Sequence, residues 1–195
     1  MTDTRARIVE ATSAMFMQHG YAGSGLKQIA AASTAPIGSL YHFFPGGKAE
    51  LAAETLIRSG QAYEELVTAV LDAEPDIVSG VRACFDGAAE TLRASGYADA
   101  CPIATVALEV ASSDEGLRKV TEQIFDRWLG ALAGRFVAAG VTEERAAELA
   151  TVFVAALEGG FLLSRVAKDA TAMETIGHHV VDLVRHALDP GSSDS

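Results

Sequence analysis

The sequence predicts an all-α protein. Apolar residues recur at steps of three and four along most of its 195 residues, and no run reads convincingly as a strand. Several of the periodic runs also open on a capping residue or a proline and close on glycine or a polar break.

The elements follow in order. Ala6 to Gln18 carries Ile8, Val9, Ala11, Met15 and Phe16 at helical spacing, and Gly20 stops it. Ser24 is a good N-cap for a short helix with Leu26, Ile29 and Ala30 on one side. Ala30 to Ala32 extend that helix with little bulk, so a second helix can pack closely. Ser33-Thr34-Ala35-Pro36 breaks it, because proline lacks an N–H and disfavours helix at the residue before it. Ile37 to Phe44 forms the next helix, with Ile37, Leu40 and Phe44 on the apolar face and Ser39, Tyr41 and His42 largely off it. Pro45-Gly46-Gly47 ends it, and Lys48 begins another.

Beyond residue 48 the helices lengthen. Ala49 to Ala73 offers Leu51, Leu56, Tyr63, Leu66, Val67 and Val70 as inward positions. Pro75-Asp76 starts a helix to about Ala94, and Pro102 takes the first position of the apolar helix IATVALEVA. Asp114 caps a segment to about Ala139, Thr142 opens one to about Lys168, and Thr171 opens the last, to about Leu188. The tail DPGSSDS has the composition of a disordered end.

Residues 24–48 read as two short helices joined by a tight turn, the layout of a helix-turn-helix. Such a motif brings its second helix into a DNA major groove. The run RARIVEATSAMFMQHGYAGSGLKQIAAASTAPIGSLYHFFPGGKAELAAET, residues 5–55, resembles the N-terminal domain of the TetR family of bacterial transcriptional repressors. The features occur in order: an amphipathic helix ending in HGY, a short IA helix, then GSLYHFF and GGK. The resemblance implies a DNA-binding domain over 1–47, with its helix-turn-helix at residues 26–44, and an effector-binding and dimerisation domain over 48–195. It implies a homodimer on a palindromic operator, with two copies of helix 37–44 in successive major grooves and release by a small molecule. Ser39, Tyr41 and His42 would contact bases or phosphates, while Ser24, Lys27 and Lys48 would anchor the backbone and set register. The family's ligand tilts the long helix 48–73 and changes the spacing of the reading heads. The run ACPIATVALE resembles a subgroup that governs efflux or detoxification genes in response to aromatic, drug-like molecules.

Charge supports this division. Through Lys48, Arg5, Arg7, Lys27 and Lys48 face only Asp3 and Glu10, a net +2; from Ala49 onward 11 basic residues face 24 acidic ones, a net −13, and the two give the chain's −11. Positive potential confined to one end, with an acidic remainder, would turn that end toward a duplex. Arg5 and Arg7 would add weak attraction.

Two C-terminal stripes argue for a dimer. Ala146, Leu149, Phe153, Ala156, Gly160, Leu163 and Ala167 follow helical steps, and the final helix offers Ile176, Val180, Leu183, Val184 and Ala187. Glycine in a helix interior costs roughly 1 kcal/mol relative to alanine. Gly159-Gly160 makes sense if the backbones of two chains meet there. The expected dimer contacts are Phe153, Ala156, Gly160, Leu163, Val180, Leu183 and Val184. The alternative is that both helices cover a monomer core.

For the effector cavity, the aromatics of residues 76–165 stand out: Phe85, Phe125, Trp128, Phe136, Phe153 and Phe161 sit among small neighbours, and Phe85, Phe125, Trp128 and Phe161 are the expected effector contacts. Aromatics at helical spacing are core more often than pocket. Glu109 in VALEVA and Glu158 in AALEGG each interrupt an apolar helix, and a buried carboxylate needs a partner. At least one is expected to face the cavity; internal pairing with Arg82, Arg127 or Arg165 is the plain alternative.

Other chemistries lack their residues. His178, Asp182 and His186 share a face, but i to i+8 spans about 12 Å, too far for one ion, so neither metal nor cofactor is expected. Cys84 and Cys101 have no metal spacing and read as reduced thiols of a cytoplasmic protein. The stretch Val152 to Leu163 contains Glu158 and is shorter than the roughly 20 residues of a membrane span. No GxSxG elbow occurs, and Gly46-Gly47-Lys48-Ala49 lacks the Ser or Thr of a phosphate loop, so no enzyme is expected. A helical ligand-binding dimer without DNA, or an activator of the same build, is the competing reading.

Overall fold

The structure, a computed structural model, describes residues 4–189. Among the described residues it contains nine helices and no strand. They are α1 (Thr4–His19), α2 (Leu26–Ala32), α3 (Ile37–Phe43), α4 (Gly47–Ala73), α5 (Ile77–Ala94), α6 (Pro102–Val110), α7 (Glu115–Ala138), α8 (Glu143–Ala167) and α9 (Thr171–Leu188). The expected all-α class is what forms. The tail beyond Asp189 lies outside the described residues.

Local chemistry sets the helix ends. Asp76 caps α5 by accepting the Ser79 N–H at 2.8 Å, and Asp114 accepts the Leu117 N–H at 3.0 Å at the start of α7. Pro102 occupies the first turn of α6, where no N–H is needed. Lys168 ends α8 in the left-handed conformation. One cap differs from expectation. The N-cap of α2 is Gly25, whose N–H is accepted by the Gln28 side chain at 2.9 Å. Ser24 is buried instead, and its hydroxyl donates to the Gly20 carbonyl at 2.7 Å.

The chain divides into two compact units, Met1–Ala62 with Asp99–Ile124, and Tyr63–Ala98 with Phe125–Ser195. That division does not fall at residue 48, because α6 packs on α1 within the first unit. The first unit's core includes Ile8, Val9, Ile29, Leu40, Phe44 and Leu51. The second is built around Phe85, Phe136, Phe153, Met173 and Val184, with α9 packed on α5 and α8. Fully burying an aromatic or large aliphatic side chain stabilises by about 1.5–3 kcal/mol. These all but fully buried side chains therefore carry each unit.

Several expected dimer contacts are core residues of the protomer. Phe153 stacks edge-on against Phe85 with ring centroids 5.3 Å apart. Val180 and Val184 are buried in the same cluster, and Ala156 packs against it. A Cβ on Gly160 would stand 2.7 Å from the Met173 sulfur, so the close approach is to α9 of the same chain. Leu163 and Leu183 remain exposed, together with Val152, Leu162 and Val166. The periodicity located an apolar stripe correctly but not what covers it. Helix α8 is apolar on both sides, enough to cross a membrane by length and composition alone. Leu66, expected inward, is also exposed.

Candidate nucleic-acid interface

The helix-turn-helix is fixed from beneath. Leu40 and Phe44 are fully buried, and the Arg5 guanidinium lies 5.3 Å from the Phe44 ring centroid while pairing with Glu54 at 2.5 Å. Between α2 and α3, Thr34 adopts φ +53°, a left-handed conformation that non-glycine residues rarely take. Arg7 donates to the Thr34 hydroxyl at 2.9 Å, and the Ala35 N–H closes the turn onto the Ala30 carbonyl at 3.0 Å. Arg5 and Arg7 thus help hold the motif together, Arg5 through an ion pair and Arg7 through neutral hydroxyls.

The outward face of α3 carries Ile37, Gly38, Tyr41 and His42, with Ser39 partly buried. Tyr41 is 54% exposed. Ile37, expected on the inner face, is 40% exposed. It stands in the first turn, before the core-facing Leu40, and the sequence reading missed it as a surface residue. The signal was there: Pro36 and Gly38 flank it, and neither supplies bulk for packing. Lys27 on α2 is exposed.

The other two proposed phosphate anchors are engaged internally. The Ser24 hydroxyl has no free surface. The Lys48 ammonium donates to the Tyr21 carbonyl at 2.6 Å and lies 4.3 Å from the Tyr21 ring centroid. Burial lowers the Lys48 pKa, and the Glu109 carboxylate opposes that shift. The Tyr21 phenol is raised by burial and by the charge of Asp114.

Glu109 is exposed and held by backbone groups. Its two carboxylate oxygens accept the backbone N–H groups of Tyr21 at 3.0 Å and Ala22 at 2.6 Å. Those amides lie in the turn after α1, within the first unit. Paired backbone donors satisfy the carboxylate where an arginine was anticipated. Arg127 pairs with Glu64 at 2.8 Å, and Arg165 donates to the Ala98 carbonyl at 2.9 Å.

In the second unit the aromatic residues separate into two groups. Phe85 is core, as its packing on Phe153 shows. Trp128 lies 5.4 Å from Phe125 and 6.3 Å from Tyr63 between ring centroids, and all three are half-buried. Phe161 packs at the edge of the core, and Glu158 is half-buried. On α9, Asp182 pairs with Arg185 at 2.7 Å, and His186 contacts the Asp182 carbonyl at 2.8 Å.

Comparison with known proteins places this geometry. Residues 8–55 match the family described as bacterial regulatory proteins, tetR family. Residues 78–179 match the C-terminal domain of LmrA/YxaF-like transcriptional regulators. An uncharacterized HTH-type transcriptional regulator of Bacillus subtilis, YxaF, is 35% identical over 94% of this chain and 96% of its own. The HTH-type transcriptional regulator LmrA of the same organism is 32% identical over 94% of this chain and 97% of its own. Among solved structures, a cysteine mutant of the TetR family regulator CifR, complexed with 26bp double-strand operator DNA, superposes with a TM-score of 0.78. That likeness has 18% identity and covers 91% of this chain and 94% of the other. The chain belongs to the TetR family of bacterial transcriptional regulators, with an LmrA/YxaF-like C-terminal domain.

Proposed function

We propose that this regulator is a homodimeric repressor that binds a palindromic operator and is released by a small apolar or aromatic molecule. The observation that carries the DNA part is the outward face of α3. Ile37, Tyr41 and His42 project from a helix whose other side is locked by Leu40 and by the neighbouring Phe44. Lys27 on the preceding helix is free to neutralise a phosphate. Two such faces related by a two-fold axis would enter successive major grooves about 34 Å apart. The dimer reading is supported by exposed Leu162, Leu163, Val166 and Leu183 on α8 and α9. A second copy, not lipid, is the occupant we assign to that surface, and the cytoplasm is its compartment.

The effector reading is supported by the half-buried group Tyr63, Phe125 and Trp128, whose rings offer edge and face contacts to another ring. Phe161 and Glu158 belong to the same unit and complete the candidate residues. An effector releases DNA only by binding the non-operator state more tightly than the operator state.

The test is a salt-titrated mobility shift on duplexes that the wild-type chain selects from a random pool. Tyr41→Ala should abolish selective binding. Lys27→Ala should weaken all duplexes alike and reduce the salt slope by about 1 for each lost phosphate contact. A chain that selects nothing at low salt would instead be a helical ligand-binding dimer.

A further inference from the structure

We propose that Glu109 is a positioning residue for DNA recognition: its carboxylate latches α6 onto the α1–α2 turn and so sets the pose of the reading head. The inference rests on the DNA-recognition reading above. It begins with a geometry that neither the helix periodicity nor the motif requires. Glu109 belongs to α6, 87 and 88 positions in sequence from the two amides it binds. Two consecutive backbone N–H groups at 3.0 and 2.6 Å, one to each oxygen, form a fork that fits a carboxylate and few other side chains.

The surroundings are shaped for the carboxylate. Gly20 adopts φ +71°, and a Cβ there would fall 1.8 Å from the nearer Glu109 oxygen. A side chain at residue 20 would therefore displace the latch. From the other side Lys48, at the start of α4, takes the Tyr21 carbonyl. The single peptide turn 21–22 is thus gripped by an anion from α6 through its N–H groups and by a cation from α4 through its C=O. The charge of Asp114 also acts on the Tyr21 phenol.

The turn leads directly into α2. Ser24 ties back to it through the Tyr21 and Gly20 carbonyls, and Gly25 then caps the helix. Its position therefore fixes where α2 starts, and α2 carries α3 through the Thr34 turn. A grip released at residue 21 would let α1–α3 shift relative to α6 as a body, while the core that α1 shares with α2 and α3, Ile8, Ile29, Leu40 and Phe44, stays packed. The latch therefore acts on pose and not on the fold of the head.

Two variants of the full chain test this. Glu109→Gln keeps the volume but offers one acceptor where two are needed; Glu109→Asp keeps the charge but is one methylene too short. Helicity and thermal midpoint establish that both fold. Amide exchange at Tyr21 and Ala22 is then compared with the wild type, and binding is measured on the selected duplex and on versions with the half-sites moved apart or together by one base pair. The expected result is exchange accelerated by about tenfold or more at Ala22, the loss of one charge-assisted hydrogen bond. The penalty for respaced duplexes should shrink by about threefold or more relative to wild type, as a loosened head tolerates wrong spacing. Unchanged exchange would overturn the latch. So would a uniform loss of affinity that leaves the spacing profile parallel to that of the wild type. A wild type that selects no duplex would instead sink the DNA reading on which the proposal stands.

Discussion

Gly177 of α9 lies against Phe85 of α5 so closely that a Cβ at residue 177 would stand 2.6 Å from the Phe85 Cβ and 2.9 Å from its Cγ. Neither atom can swing away, because the phenyl ring is locked edge-on against Phe153. Gly177→Ala should destabilise the chain by about 1–3 kcal/mol through overpacking, although alanine gains about 1 kcal/mol in helix propensity. Gly159→Ala, where the added methyl meets open space, should leave the protomer equal or more stable. Urea unfolding of the two variants checks the pair. A Gly177→Ala chain as stable as Gly159→Ala would mean that α5 and α9 do not meet at this point.

The fold was legible because its elements are long and clearly punctuated. The last helix was foreseen from Thr171 to Leu188 and runs between those residues; Pro102 and Asp114 mark α6 and α7 as expected. The outward residues of α3 were legible for a related reason: polar Tyr41 and His42 interrupt an apolar spacing. What failed was the question of who covers an apolar face. Phe153, Val180 and Val184 look the same in sequence whether the neighbour is α5 or a second chain. The bonds of Glu109 were not legible either, since its partners are backbone amides and no side-chain pattern records those. Lys48 was legible as a cation, but not as one already committed to the Tyr21 carbonyl.

Ile37 leads to a prediction about base sequence. An exposed aliphatic side chain in the first turn of a groove-reading helix has no polar partner to offer a base edge. Its chemical match in the major groove is the thymine C5-methyl. Replacing thymines of the selected duplex by uracil, one at a time, should reveal a position where wild-type affinity falls by about 3- to 5-fold, near the value of one buried methyl group. Ile37→Ala should bind the thymine and uracil forms of that position alike. If Ile37→Ala retains every uracil penalty of the wild type, the side chain does not read that methyl.

Cys84 should be a silent thiol. Burial against the second unit's core pushes its pKa up to about 12, so it stays protonated through the physiological range. The thiolate is the reactive form, and a raised pKa in a buried site suppresses both alkylation and oxidation. Iodoacetamide at pH 8 should therefore leave Cys84 unmodified in the folded chain and label it in denaturant, as peptide mass mapping would read. Rapid labelling of the native protein would show that this part of α5 opens.

The outward surface of α8 is the last feature with a definite consequence. Val166 is 80% exposed and Leu163 53%, on a helix whose opposite side is already buried, through Phe153 in the core and Gly160 against Met173 of α9. Exposed aliphatic residues clustered on one face mark an association site, and a two-fold contact would place each α8 and α9 against their copies. Leu163→Glu with Val166→Glu puts four like charges into that contact per dimer while leaving the protomer core untouched. Sedimentation at micromolar concentration should show the wild type as a dimer and the double variant as a monomer of unchanged helicity. Operator affinity should fall steeply in the same variant, because one short helix must then bind without its two-fold mate. A double variant that still sediments as a dimer would move the interface to another face, and Leu66 of α4 would be the next position to charge.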